Sequence, residues 1–215
     1  GGFHQKSRHV ETMFIVPKRN LAALKDQVLL YSKNDNAGKA LAAAGINVDN
    51  VKQLTSSLLR GKKLVIIGKN SLASGITEML DDFVAKGGQV LILPQKDWKP
   101  FRPELPEADS RHVASQTWLR AAKHPIMKDM SDGQFSYWRP DNLISKNTFV
   151  KPTAGRFNIL LDCGGNYGLN WTPLLAVGIG KGEYLLSSID LCAKSSSEPA
   201  AAYLLGSIIE YCVNR

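Results

Sequence analysis

Apolar residues along this chain fall into two recurring textures, short unbroken runs and stripes spaced three and four residues apart. The first run, QVLLYS at 27–32, leads to Asp35 or Asn36 as a candidate N-cap. Ala37, Ala40, Leu41 and Ala44 follow at helical spacing, and Gly45 stands as a stop before INV at 46–48. This predicts strand, helix, strand. The pattern repeats with KKLVIIG at 62–68 as a fully buried strand. Leu72, Ile76, Met79, Leu80, Phe83 and Val84 then form one helical stripe ending at Gly87 and Gly88, and QVLILP at 89–94 is a further buried strand. Apolar strands alternating with amphipathic helices imply a mostly parallel sheet covered on both faces, a three-layer α/β fold.

From Gln95 to Gly182 prolines and aromatics break this alternation, which predicts irregular loops and short strands. RFNILLD, with its strand at 157–162, and EYLLSSID, with its strand at 183–189, read as two more strands of the sheet. The second follows the turn GIGKG. The chain ends in a helix: Pro199 sits near its first turn, and Ala201, Leu204, Leu205, Ile208 and Cys212 form the core-facing stripe. We read residues 1–24 as an N-terminal extension or linker. Residues 25–215 form a single domain with a loop-rich segment at about 97–155. The Gly-Gly start without an initiator methionine suggests a piece of a longer protein or a processed chain.

Composition narrows the function classes. With 215 residues, 44% hydrophobic and 21% charged, the chain can bury one sizeable core. No apolar stretch approaches the roughly 20 residues that span a bilayer, so no membrane partner is expected. Lysine and arginine number 27 against 19 acids, yet outside RGKK at 60–63 they are scattered among acids, so nucleic acid is not the expected partner either. Cys163, Cys192 and Cys212 are far apart and odd in number, which indicates neither a disulfide framework nor a zinc site; no metal and no cofactor are expected.

LLDCGGNYG at 160–168 places Cys163 at the end of a buried strand, where a nucleophile would sit. A nucleophile elbow needs small residues on both sides and a helix afterwards, whereas Leu161 precedes it and NYGLNWTP is a poor helix. None of the four histidines, at 4, 9, 112 and 124, lies downstream of it. Cys163 therefore reads as a small buried residue. Asp81 and Asp82 read as a solvated helix face, and Asp141, Asp162 and Asp190 as caps at element ends. GIGKG links strands, whereas a phosphate-cradling loop opens a helix. The most individual stretch is HPIMKDMSDGQFSYWRPDNLIS at 124–145. Its Tyr137, Trp138, Arg139 and Asp141, with Trp171, offer ring faces beside polar groups, the combination that binds a sugar or a protein partner. Packing of Phe135 and Tyr137 onto the core is the competing account. Open parallel sheets also bind ligands beyond the carboxyl ends of their strands, here near Ser32, Asp35, Lys69, Asn70 and Gln95.

VLLYS...AGKALAAAGI, KKLVIIGKNSLASGITEMLDDFVAKGGQVLILP, HPIMKDMSDGQFSYWRPDNLIS and PLLAVGIGKGEYLLSSIDL...EPAAAYLLGSIIEY together resemble the C-terminal module of large bacterial glycoside hydrolase family 2-like proteins. That module is similar to the flavodoxin-like, class I glutamine amidotransferase-like fold, as is the trimerisation domain of some β-galactosidases. In active amidotransferases the nucleophilic cysteine follows a central parallel strand and a His-x-Glu pair completes the triad. The strand that looks equivalent here is QVLILP, which leads into Gln95 and Lys96, and no histidine follows residue 124. The resemblance thus implies a fold kept without amidotransferase chemistry. It implies a noncatalytic accessory or assembly module of a bacterial carbohydrate-active enzyme. Its partners would be the other domains of that glycosidase, carbohydrate, or further copies of the chain, and its parent would be periplasmic or secreted. The alternative is a small-molecule or sugar-binding α/β domain, or a divergent hydrolase working in the strand-end crevice.

Overall fold

The computed structural model describes Ile15, Arg19 and residues 21–98, 108–109, 112–165 and 168–215. In chain order the elements are β1 (Val28–Tyr31), α1 (Asn36–Ala43), β2 (Asn50–Val51), β3 (Leu64–Ile67), α2 (Thr77–Ala85), β4 (Gln89–Ile92), β5 (Ala108–Asp109), β6 (Trp118–Leu119), β7 (Thr148–Val150), β8 (Phe157–Gly165), β9 (Gly168–Ile179), β10 (Gly182–Ser187), α3 (Leu191–Lys194) and α4 (Pro199–Asn214). Each strand foreseen from a buried apolar run is present. INV yields its strand slightly later, at β2.

The sheet is mixed. Strands β2, β1, β3, β4 and β10 lie side by side and parallel, the flavodoxin-like order. Beyond β10 the direction reverses, because the short turn at Gly180 and Lys181 returns the chain as a hairpin with β9. Strand β9 outlasts its partner: Leu174 to Ile179 pair with β10, while Trp171 and Thr172 pair with β7 on that edge and β8 runs along the other. The segment NYGLNWTPLLAVGI, where irregular structure was expected, therefore carries the longest strand. Its Pro173 falls at the junction where β10 gives way to β7, a position where a strand tolerates a residue without an N–H.

Period-two alternation sends each central strand's side chains to two cores. Val28, Leu30, Leu64, Ile66, Leu91 and Leu185 face one layer, built by α1, α3 and α4. Leu29, Val65, Ile67, Val90, Tyr184 and Leu186 face the other, under α2. Helix α4 carries the expected stripe but is buried almost all round. Part of that cover is the segment at 125–130, with Ile126, Met127 and Met130 in the same core. Leu21 also belongs to this core, and Arg19 pairs with Glu210 and lies over the Tyr203 ring, so the packed body takes in residues of the presumed linker. Asp81 departs from the solvated reading. It is half-buried and accepts a hydrogen bond from the Tyr184 hydroxyl at 2.8 Å. His4, His9 and the prolines at 100, 103 and 106 lie outside the described residues.

Candidate functional site at the strand ends

The parallel strands all deliver their carboxyl ends to one edge, and there the chain builds a crevice of about 420 Å³. One wall is the loops after β3, β4 and β10, and the other is the segment 140–147. Backbone and side-chain bonds tie the first wall together. Asn70, held at φ +54°, donates its N–H to the Pro94 carbonyl at 3.0 Å and accepts the Lys96 N–H on Oδ1 at 2.8 Å. The buried Gln95 accepts the Leu72 N–H and donates to the carbonyls of Gly68 and Leu93. Ser145 bridges the walls by donating to the Ser188 carbonyl at 2.7 Å.

Two carboxylates and four lysines meet in this crevice. Asp190 caps α3 by accepting the Ala193 N–H at 3.2 Å and pairs with Lys69 Nζ at 2.5 Å. Asp141 accepts from Lys194 Nζ at 2.7 Å and lies 3.5 Å from Lys146 Nζ. The Lys194 side chain is only 7% exposed, so Asp141 is what makes a nearly buried ammonium tolerable. The hydrogen bond from Lys194 in turn holds the Asp141 carboxyl below the usual carboxylate range. Lys96 completes the basic side, and Pro94, Pro140 and Ala193 supply an apolar one. Such a site presents donors, acceptors and an apolar floor at close quarters. The Asp141 carboxylate, held ionised by Lys194, serves such a site as a hydrogen-bond acceptor.

The structure separates the residues singled out by sequence. Lys69, Asn70, Gln95 and Asp141 do come together here, Gln95 as a hidden brace behind the loops. Ser32 and Asp35 do not line the crevice. Ser32 is buried and bonds the Asn34 carbonyl, and Asp35 pairs with the β2-side Lys52 at 3.1 Å, which lowers its pKa. Trp138 must be corrected: at 1% exposure it packs on Phe135 inside the core, its indole N–H donating to the Gln134 carbonyl, so it cannot anchor a partner. Tyr137, at φ +52° and 57% exposed, and Arg139, which begins a cis peptide to Pro140, remain on the surface outside the crevice lining. Trp171 stands apart on β9, half-buried and stacked on His112 with centroids 4.1 Å apart.

Sequence reading missed Lys194, Asp190, Lys146 and Ser145 as site members. Asp190 had been read as a cap, which it is; its second role depends on Lys69, 121 residues away, and no local pattern carries that. Asp162, also expected to cap, is instead a buried ion-pair partner of Lys151 at 2.5 Å. Cys163 does not line the crevice; it sits on β8, buried opposite Trp171, its thiol pushed up to about 12 by burial.

No protein-family model matches the sequence, and no curated protein does. Solved structures do match in fold. A cytoplasmic protein of Salmonella typhimurium LT2 superposes with TM-score 0.61 at 12% identity, covering 86% of this chain and 98% of that one. A ThuA-like protein from Bacteroides uniformis gives 0.53 at 10% identity over 86% of this chain and 90% of its own. A β-galactosidase from Rahnella sp. R3 gives 0.55 at 17% identity, covering 82% of this chain but 26% of the enzyme's. At these identities the likeness is one of fold: an α/β architecture that occurs both as nearly a whole protein and as a segment of a glycosidase.

Proposed function

We propose that this chain is a noncatalytic, sugar-binding module of a carbohydrate-active enzyme, with its ligand held in the strand-end crevice. The observation that carries the reading is the juxtaposition of Asp141 and Asp190 with Lys69, Lys146 and Asn70 around an apolar floor. Adjacent sugar hydroxyls each donate and accept, so a carboxylate and an ammonium side by side match a diol. Pro94 and Pro140 suit the C–H face of the ring. The shared fold with a segment of a β-galactosidase supports placement within a glycosidase, whose other domains would be the partners and would carry the bond-cleaving carboxyl pair.

Isothermal titration of the folded chain with galactose, mannose and lactose tests this. Saturable binding of at least one sugar is expected, weakened about tenfold by Asp141→Asn, since a hydrogen bond to a charged group is worth about 1.5–3 kcal/mol. Absence of binding by all three would sink the reading. So would turnover of a nitrophenyl glycoside by this chain alone, abolished by one substitution in the crevice.

A further inference from the structure

At the opposite edge of the sheet, where β3, β4 and β10 begin, lies a second cleft of about 380 Å³. Its size is within the roughly 300–1,000 Å³ of small-molecule sites. Lys62 and Lys63 enter it just before β3, Lys86 from the end of α2, and Lys181 from the turn between β9 and β10. Among the described residues no carboxylate pairs with any of these four lysines. Lys62 Nζ donates instead to the Asp26 carbonyl at 2.9 Å. Arg215 also borders the cleft, but it is engaged with Glu183 and the Tyr211 hydroxyl. Four unneutralised ammonium groups around one small cavity repel one another, and an anion entering it relieves that repulsion.

Two further features narrow the ligand. Gln89, 2% exposed at the start of β4, lines the same cleft. Its Nε2 donates to the Gly87 carbonyl at 3.2 Å, while its Oε1 is buried with no hydrogen-bond partner. A buried acceptor left empty calls for a donor, which neither a lysine-bound carboxylate nor a fully ionised phosphate oxygen supplies, whereas a hydroxyl does. The ring of Phe83 lies against Gly88, where a Cβ would come within 2.3 Å of it, and forms part of the wall. It offers a flat apolar face beside the cations.

We propose that this cleft binds an acidic monosaccharide, a sugar carrying a phosphate or carboxylate group. The lysines take the anionic group, the Gln89 side chain turns its Oε1 into the cleft to accept from a ring hydroxyl, and Phe83 supports the sugar's apolar face. The site is independent of the crevice at the other end of the strands.

Titrate the folded chain calorimetrically with glucose 6-phosphate, glucuronate, inorganic phosphate and glucose at fixed ionic strength. The acidic sugars should bind, inorganic phosphate several-fold more weakly, and glucose not at this site. Lys86→Ala combined with Lys181→Ala should weaken glucose 6-phosphate binding about fivefold or more. Gln89→Leu should leave phosphate binding intact and erase the preference for the phosphorylated sugar. Binding of glucose 6-phosphate should persist in Asp141→Asn and there still respond to the lysine pair, which separates this site from the crevice. Equal binding of glucose 6-phosphate by wild type and the double lysine variant would overturn the proposal. So would binding confined to heparin fragments or oligonucleotides, which would mark a polyanion surface instead.

Discussion

Cys163 shows how much a residue's chemistry belongs to its surroundings. The same LLDCGG stretch in an open, electropositive turn would offer a nucleophile; here β8 carries the thiol into the core. Burial raises its pKa to about 12 against the attraction of Lys151, and burial likewise lifts Cys192 to about 12 and Cys212 well above its ordinary value. All three thiols of the native protein should therefore alkylate with iodoacetamide at pH 8 about a hundredfold or more slowly than in 6 M guanidinium. A thiol that reacts at the unfolded rate in the native protein would contradict that expectation. Trp138 makes the converse point. Its aromatic identity suggested an anchor, and its place beside Phe135 made it core.

Among the elements, the β9–β10 hairpin does most to shape the molecule, and its GIGKG turn has a steric cause. Gly180 adopts φ +57°, and a Cβ there would lie 2.6 Å from the Ala85 carbonyl oxygen. At Gly182 a Cβ would lie 2.0 Å from the Gly88 carbonyl oxygen. The turn is thus pressed against the C-terminal end of α2, and this contact sets Lys181 beside Lys86. Gly182→Ala must move backbone and should cost about 1–3 kcal/mol or more. Gly75→Ala, with open space at its Cβ and ordinary backbone, should be close to neutral. Urea unfolding midpoints of the two variants test the contrast, and equal midpoints would remove the steric account.

The whole molecule is two cores sharing one set of strands. Val65 and Ile67 pack under α2 while Leu64 and Ile66, on the same four-residue strand, pack on the layer of α1 and α4. Neither layer can be lost without stripping cover from strands the other needs. We therefore expect one cooperative thermal transition, with near- and far-ultraviolet dichroism melting together despite the 215-residue length. Two separated transitions would show that the parallel half and the antiparallel extension are independent folding units.

The strands β1, β3, β4 and β10, the helices α1, α2 and α4 and the α/β class were legible in the sequence. Each rests on a local period: unbroken apolar runs for strands buried on both faces, and three-four spacing for helices. Strand β9 was not, because its glycines, Asn170 and Pro173 weaken every local signal, and its place is fixed by pairing with three other strands. The candidate site divides in the same way. A general rule about strand ends pointed to Lys69, Asn70 and Gln95, which follow β3 and β4 directly. The partners that give the crevice its chemistry arrive from 140–147 and α3, through Lys194 with Asp141 and Lys69 with Asp190, across separations of 53 and 121 residues. Sequence determined the strands and helices because each reports on its own neighbours. Only the tertiary structure decided which charges meet, which aromatic rings are buried and which lysines stand without a counterion among the described residues, because those depend on the path of the chain between elements.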